Sequence, residues 1–270
     1  MRCIAASLPL VLLGLLAGVA ALAPWIAPLD PLSQNVFLRE EGPSAEHWLG
    51  TDELGRDVFS RLLYGARISL TVGVLAPLIA AAVGIWLGMA AGFLGGRVDR
   101  AVVRLTDMLM AFDPLLLGVL VVAVLGPNLF NLAVAIAAAL TPQFIRLARA
   151  QTLAVRQETY IDAATVAGRT APAIMRLHVL PNIAGPLLVM GTLWIATAIR
   201  LEASLSFIGL GAQAPAPSWG NMVRESIADI FGSPLPAICA GIAITLTILC
   251  FNLVGERLRD RLDPSAGRRP

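Results

Sequence analysis

Few side chains in this sequence are of the types that carry out catalysis or bind cofactors. The types that are missing exclude several kinds of site. All 20 basic residues are arginines and none is a lysine. A phosphate-binding loop needs a lysine to hold the terminal phosphates of ATP, and Schiff-base catalysis needs a lysine amine. The two histidines, His47 and His178, are far apart, and the three cysteines are widely spaced. We therefore predict no catalytic site, no metal site and no cofactor in this chain, so that any ATP and Mg²⁺ would be bound by other subunits.

The composition is that of a membrane protein. Of the 270 residues, 57% are hydrophobic and 14% are charged, and the mean hydropathy is +0.77. Soluble domains carry about 25% charged residues, so a soluble fold of this size would lack surface charge. Because the apolar residues also cluster in runs as long as a bilayer is thick, we predict an all-α polytopic membrane protein.

Six apolar runs predict six transmembrane helices. The first run is also similar to a signal peptide, but Pro24 directly follows the candidate cleavage site and favours a retained helix. Residues 57–70 have helical periodicity with Asp57 and Arg61 on the polar face, which predicts an interfacial helix that leads into the next span. The chain then divides into an N-terminal span with an extramembrane segment (1–69), a core of five spans (70–256) and a tail (257–270). The predicted spans are residues 4–26, 70–93, 105–125, 129–144, 182–199 and 235–254.

The arginines predict the orientation of these spans. With the N-terminus in the cytoplasm and six crossings, fourteen arginines fall on the cytoplasmic side and six on the other. This asymmetry agrees with the positive-inside rule. We therefore predict that both termini are cytoplasmic and that residues 145–181 form a cytoplasmic loop.

This loop has the pattern of two short helices joined by a tight turn. Residues 160–167 have a helical pattern that stops at Gly168, a residue type favoured just past a helix C-terminus. Thr170 is a candidate N-cap for a second helix with Pro172 early in it, and we expect that helix to end before Pro181. A short, rigid element of this kind is suited to transmit force from a soluble partner.

The same loop resembles the E-A-A-x₃-G-x₉-I-x-L-P signature of ABC importer permeases. Asp162 stands where Glu is usual, and His178 stands where many members have Ile, which is similar to the peptide and nickel branch. Residues 47–70, 202–220 and 252–264 also resemble the dipeptide/oligopeptide/nickel permeases. The residues that match the signature are Asp162, Ala163, Ala164, Gly168, Leu180 and Pro181.

The resemblance implies an ABC type I importer permease fold in the bacterial inner membrane. It implies that the loop is a coupling helix docked on an ATPase, with Asp162 as polar anchor, Ala163 and Ala164 as the close-packing face and Gly168 as the turn. It also implies a second homologous permease subunit, two ATP-binding subunits and an extracytoplasmic solute-binding protein as partners, and no nucleic acid. Peptides are the first substrate class that it implies, and nickel or a nickel chelate is the second.

Ionisable residues near membrane depth leave two interpretations open. Glu202 either borders the translocation path or lies, with Arg200, at the outer interface where both side chains reach water. For Asp107 the interfacial interpretation is favoured, and Asp113, directly before a proline, is left unassigned.

Two further alternatives stay open. Small residues recur at every fourth position from Ala76 to Gly96, and such a ridge fits either packing within the bundle or a subunit interface. A secondary transporter or channel that works without ATPases is the alternative function. An intramembrane enzyme is disfavoured because the sequence has neither a G-x-S-x-G nor an H-E-x-x-H motif.

Overall fold

The chain folds as a helical bundle. The computed structural model describes residues 2–213, 215–227 and 233–262, with side chains from residue 11 onward. A 3₁₀ turn at Val36–Leu38 lies between the first two helices, and a π-helical turn at Met175–Val179 joins α7 to α8. The α-helices are α1 (Arg2–Ile26), α2 (Val58–Leu94), α3 (Gly96–Met110), α4 (Pro114–Leu125), α5 (Leu129–Val155), α6 (Thr159–Val166), α7 (Ala171–Ile174), α8 (Leu180–Phe207), α9 (Trp219–Ile227) and α10 (Leu235–Leu262).

The prediction of a polytopic helical membrane protein is confirmed. Within the described ranges, four helices are long and apolar enough to cross a bilayer: α2, α5, α10 and the continuous helix from Ala171 to Phe207. Counting the bent pair α3–α4 as one span gives five. α1 contributes a shorter apolar stretch, Val11–Ile26. The predicted count of six is therefore not confirmed, and the tail from residue 263 onward lies outside the described residues.

Helix α2 joins the predicted interfacial helix and the predicted second span without a break. Its 37 residues would extend about 55 Å, well beyond a hydrocarbon core of about 30 Å. Asp57 begins the helix by accepting a hydrogen bond from the Ser60 amide at 2.7 Å. Residues 57–70 therefore form the first turns of the second span, and the predicted boundary at residue 69 falls inside the helix.

The predicted third span is two helices that meet at 94°. The break falls at Asp113, whose extended backbone (ψ 136°) suits a residue that precedes a proline. The Asp113 carboxylate accepts hydrogen bonds from the amides of Leu115 and Leu116 at 2.8 and 3.3 Å and so caps α4. This gives the unassigned aspartate a structural role.

The ridge of small residues packs inside the bundle, between α2 and α5. A Cβ added to Gly84 would lie 2.6 Å from the Cβ of Phe144, and one added to Gly88 would lie 2.5 Å from the Ile145 carbonyl oxygen. A Cβ at Gly92 would lie 2.9 Å from the Arg149 carbonyl oxygen. Contacts that advance together along both helices make α2 and α5 parallel, so α3 and α4 must carry the chain back between them.

Candidate functional site

The predicted turn at Gly168 is present and is closed by backbone hydrogen bonds. Gly168 has φ +77°, the left-handed conformation that costs glycine least. Its amide donates to the Thr165 carbonyl at 3.0 Å, and the Arg169 amide donates to the Ala164 carbonyl at 3.2 Å. These two bonds form a Schellman motif at the end of α6. The turn is therefore fixed by its own backbone.

The signature residues of α6 divide between two faces. Ala164 is buried against the bundle core, together with Ile161. Asp162 and Ala163 are exposed, and Val166 is 90% exposed. The predicted close-packing pair is therefore split: Ala164 holds α6 on its own subunit, and Ala163 faces away from it.

The second helix of the loop does not end before Pro181, contrary to the prediction. α7 passes through the π-helical turn into α8 without a break. In that turn the Leu180 amide donates to the Met175 carbonyl, five residues back. Pro181 has no amide hydrogen to give, and the Asn182 side-chain amide donates instead to the His178 carbonyl at 2.6 Å. The wider turn and this side-chain bond let the helix accommodate the proline.

Thr170, the predicted N-cap of this second helix, lies at the N-cap position but does not cap the helix with its side chain. Thr170 has the extended backbone of an N-cap (φ −71°, ψ 149°), and Pro172 lies in the first turn of α7 as expected. The Thr170 side chain accepts no cap hydrogen bond from the described backbone. Leu180 is partly buried against the core and Pro181 is exposed.

Glu202 is fully buried, so the interpretation that placed it in outer-interface water is wrong. Its Oε1 accepts a hydrogen bond from the Ser206 hydroxyl at 2.7 Å. The hydroxyl groups of Ser69 and Ser218 also lie beside the carboxyl group, but Oε2 has no hydrogen-bond partner among the described atoms. Arg200, two residues earlier, is exposed. We call Ser69, Glu202, Ser206 and Ser218 the serine knot.

Trp219 packs tightly beside the serine knot. Its indole nitrogen donates to the Leu62 carbonyl at 3.1 Å, and a Cβ added to Gly65 would lie 2.9 Å from its ring. A Cβ added to Gly220 would lie 2.5 Å from the Ala203 carbonyl oxygen. These approaches leave room only for glycine, so α2, α8 and α9 are locked together at this level.

A second buried polar group was missed by the sequence analysis. Arg56 donates to Asp52 at 2.7 Å and to Glu225 at 2.8 Å. Arg61 donates to the same Asp52 oxygen and to Glu225 at 2.8 Å. Both arginines are at most 4% exposed. We call these four residues the arginine cluster; it ties the segment before α2 to α9.

The sequence analysis had placed Arg61 on a polar outer face with Asp57. The structure turns Arg61 inward, and Asp57 pairs instead with His47 at 3.1 Å. The partner Glu225 lies 164 residues beyond Arg61. No local spacing rule connects residues so far apart, so only the unusual run of charges in residues 52–61 hinted at this cluster.

The Gly168 turn and the serine knot lie at opposite ends of the bundle. Ser69 lies near the N-terminal end of α2, and Gly92, near its C-terminal end, packs on Thr152 shortly before α5 leads into α6. Ser69 and Gly92 are 23 residues apart, about 35 Å along a helix. A link between the two regions must therefore pass through the length of the bundle.

The helical bundle with its apolar spans is that of a multi-pass membrane protein. Residues 84–268 match the family described as "Binding-protein-dependent transport system inner membrane component". The chain belongs to this family of ABC importer permeases.

Two relatives of known name are also transport permeases. The chain is 47% identical over 253 residues to the glutathione transport system permease protein GsiD of Escherichia coli O6:K15:H31 (strain 536 / UPEC), which covers 93% of this chain and 83% of the relative. The figures are the same for the protein of that name from Shigella boydii serotype 4 (strain Sb227).

Solved structures confirm the type I importer permease fold. A chain of the MetNI methionine ABC transporter in an inward-facing conformation (CY5 native crystal form) aligns with TM-score 0.63 and 15% identity, covering 76% of this chain and 97% of that chain. A CY5 SeMet soak crystal form of the same transporter aligns with TM-score 0.60 and 16% identity, covering 75% and 96%. At this level of identity the likeness concerns the fold alone.

Proposed function

We propose that this chain is the transmembrane subunit of an importer for small peptides of the glutathione class, driven by ATPases that bind the turn at Gly168. The observation that carries the coupling role is the α6 turn, which is fixed by its own backbone and yet projects Asp162 and Ala163 away from its own subunit. The substrate class is supported by the 47% identity to glutathione permeases, which extends over 93% of the chain.

The exposed face of α6 has the features of a docking element. It combines a carboxylate, Asp162, with small and apolar side chains at Ala163 and Val166. A side chain at Gly168 would find nothing within 4 Å in the described part of this chain. Within this chain, glycine is required there because of the backbone conformation. A partner that fits closely around the turn would add a steric requirement for glycine. Leu180 packs against the core at the start of α8, whereas Pro181 beside it is exposed.

The remaining partners follow from the same proposal. Two ATP-binding subunits supply ATP and Mg²⁺ chemistry beneath the membrane, and an extracytoplasmic binding protein delivers the peptide from the other side. An apolar cleft of about 450 Å³ between α2, α5 and α8, lined by residues such as Leu78, Phe144 and Leu187, is open at the surface and suits a second, homologous permease. Alternating access then follows from different affinities of the partners for two bundle states.

Substitution of Gly168 by Asp tests the coupling role. A branched, charged side chain at φ +77° strains the turn and fills the space of the partner. We expect Gly168→Asp to abolish ATP-dependent uptake of labelled glutathione in proteoliposomes that contain all subunits, with normal amounts of the permease in the membrane.

Gly126→Asp provides the matched control. Gly126 also has positive φ, +87°, and open space around its Cβ within the described chain, but it joins α4 to α5 at the opposite end of the bundle. Its variant should retain uptake. Normal uptake by Gly168→Asp would refute the coupling role, and uptake by this chain alone without ATP would favour a channel or secondary transporter.

A further inference from the structure

Helix α3 carries three arginines on one side. Arg97, Arg100 and Arg104 follow the i, i+3, i+7 spacing and lie within about 60° of one another around the helix axis. All three are exposed, and none forms an ion pair with a carboxylate of the described chain. Arg100 donates only to the Gly96 carbonyl at 3.3 Å. This side of α3, which we call the basic face, holds positive charge that no carboxylate of the described residues neutralises.

The two aspartates of α3 are used in packing. The Asp99 carboxylate accepts hydrogen bonds from Nε and Nη2 of Arg149 in α5, the second at 2.8 Å. Asp107 pairs with Arg146 at 3.3 Å. Asp99 is partly buried and helps to hold α3 against α5, whereas Asp107 and Arg146 form an exposed pair. Neither aspartate forms an ion pair with an arginine of the basic face in the described chain.

Exposed apolar side chains lie next to the basic face. Val98, Leu105 and Met108 are 40%, 50% and 65% exposed. The apolar exposure continues past the bend through Phe112 and onto the outer surface of α4, where Leu116 is 63% exposed. Since a spanning helix turns such residues to lipid, the apolar side of α3 belongs to the same lipid-facing surface.

The bend places α3 across the end of the bundle. α3 follows directly on the C-terminal end of α2, and Arg156, just past the end of α5, lies 5.9 Å from the ring centroid of Phe93 near that end. α4 packs along α5 and α3 turns away from it by 94°. A helix at right angles to a spanning helix, at the level where spans end, lies in the plane of the membrane surface.

We propose that α3 is a membrane-surface helix that binds the headgroups of anionic phospholipids through Arg97, Arg100 and Arg104. Val98, Leu105 and Met108 sit among the acyl chains beside those headgroups, which is the arrangement of interfacial amphipathic helices. The proposal rests on the proposed function only in assigning this end of the bundle to the cytoplasmic leaflet. The continuity of the apolar surface with α4 favours lipid over an acidic protein surface as the occupant.

Lipid binding by the purified full chain tests this proposal. The probe is fluorescent phosphatidylglycerol, titrated into the chain reconstituted in phosphatidylcholine nanodiscs. An arginine near an anionic surface contributes about fivefold in affinity, so R97Q/R100Q/R104Q should weaken phosphatidylglycerol binding by about 100-fold. Raising the salt concentration should weaken binding by the unaltered chain in the same direction, because such charges are screened.

Two matched variants sharpen the result. R97K/R100K/R104K keeps the charge and should keep the binding. R39Q/R67Q/R200Q removes three arginines that are exposed away from α3, and it should leave phosphatidylglycerol binding to α3 unchanged. Unchanged binding by R97Q/R100Q/R104Q, or an equal loss in R39Q/R67Q/R200Q, would overturn the proposal. So would loss of ATPase co-purification with lipid binding intact, because the face would then be a protein interface.

The lipid-binding measurement is independent of transport. It needs no ATPase, binding protein or peptide, so the proposed function can fail while α3 still binds lipid, and the reverse also holds. If R97Q/R100Q/R104Q does not fold, the salt dependence of the unaltered chain and the binding of R97K/R100K/R104K still decide. Binding to the unaltered chain that does not respond to salt would overturn the proposal by itself.

Discussion

The two ends of α2 are built in opposite ways. At the N-terminal end, Arg61 and Glu202 are buried, and an added Cβ at Gly220 would lie 2.5 Å from a carbonyl oxygen. At the C-terminal end, the neighbouring α6 turn presents Val166 at 90% exposure, and an added Cβ at Gly168 meets no described atom within 4 Å. The first end is closed by contacts within the subunit, whereas the second leaves side chains exposed. Substitutions at the first end should therefore change stability, and those at the second should change transport.

The largest loss of stability is expected for Arg61→Ala. This change leaves Asp52 and Glu225 buried or partly buried without one of their cationic partners. Removal of one partner from a buried ion pair costs roughly 3–5 kcal/mol, and the remaining Arg56 places the expected loss at the lower end of that range. Denaturant unfolding of the purified chain in detergent measures it.

Arg67→Ala is the control for Arg61→Ala. Arg67 lies on the same helix but is exposed, so its loss should change the free energy of unfolding by no more than about 0.5 kcal/mol. Equal effects of the two substitutions would show that the arginine cluster does not hold the segment before α2 on α9.

The next largest effect is expected for Gly220→Ala. The new methyl group would overlap the Ala203 carbonyl oxygen and lie 2.7 Å from the Cβ of Ser206. Overpacking of this kind costs about 1–3 kcal/mol. The melting temperature in detergent should fall, whereas Gly241→Ala, in a helix with open space around it in the described structure, should leave it unchanged or raise it. Equal melting temperatures for the two variants would mean that α8 and α9 can separate locally.

Sequence analysis predicted the turn at Gly168, whose structure is determined by residues close together in the chain. The Gly168 turn depends on residues within a few positions of one another, and a glycine after a helical run is a strong local signal. The fourth and fifth predicted spans were also found, within α5 and α8, because their apolar runs are long and contain few charges. α5 itself continues to Val155, past the predicted end of the fourth span at residue 144.

The features that sequence analysis missed depend on distant contacts or on competing local signals. Arg61 and Glu225 meet only because α9 folds back on α2. The Asp113–Pro114 pair was noted, but composition favoured a single apolar span through it. The capping strength of aspartate before a proline then outweighed the apolar run, and the chain bent there.

A smaller effect is expected for Gly168→Ala. A methyl group at φ +77° costs about 1 kcal/mol, and no described neighbour adds a steric term. The cost should appear as faster hydrogen exchange at the Gly168 and Arg169 amides with little change in global unfolding. ATP-dependent uptake should fall more than stability does. Gly126→Ala, which bears at least as much backbone strain (φ 87°, ψ 154°) in the turn between α4 and α5, should leave uptake intact, and a matching loss there would break the distinction between the two ends.

The smallest change in stability is expected for Glu202→Gln, and it decides the role of the serine knot. Glutamine has the size of glutamate, its amide oxygen can accept from Ser206, and its amide nitrogen can donate to Ser69 or Ser218 at the position of the unpartnered Oε2. Because a buried carboxylate without a cation is replaced by a neutral amide with more partners, unfolding should change by less than about 1 kcal/mol. A loss above about 2 kcal/mol would instead indicate a cationic partner for Glu202.

Uptake of labelled glutathione supplies the second measurement for Glu202→Gln. If Glu202 borders the translocation path as a carboxylate, Glu202→Gln lowers uptake at unchanged stability. Unchanged uptake would assign Glu202 to packing and leave the comparison between the two ends complete.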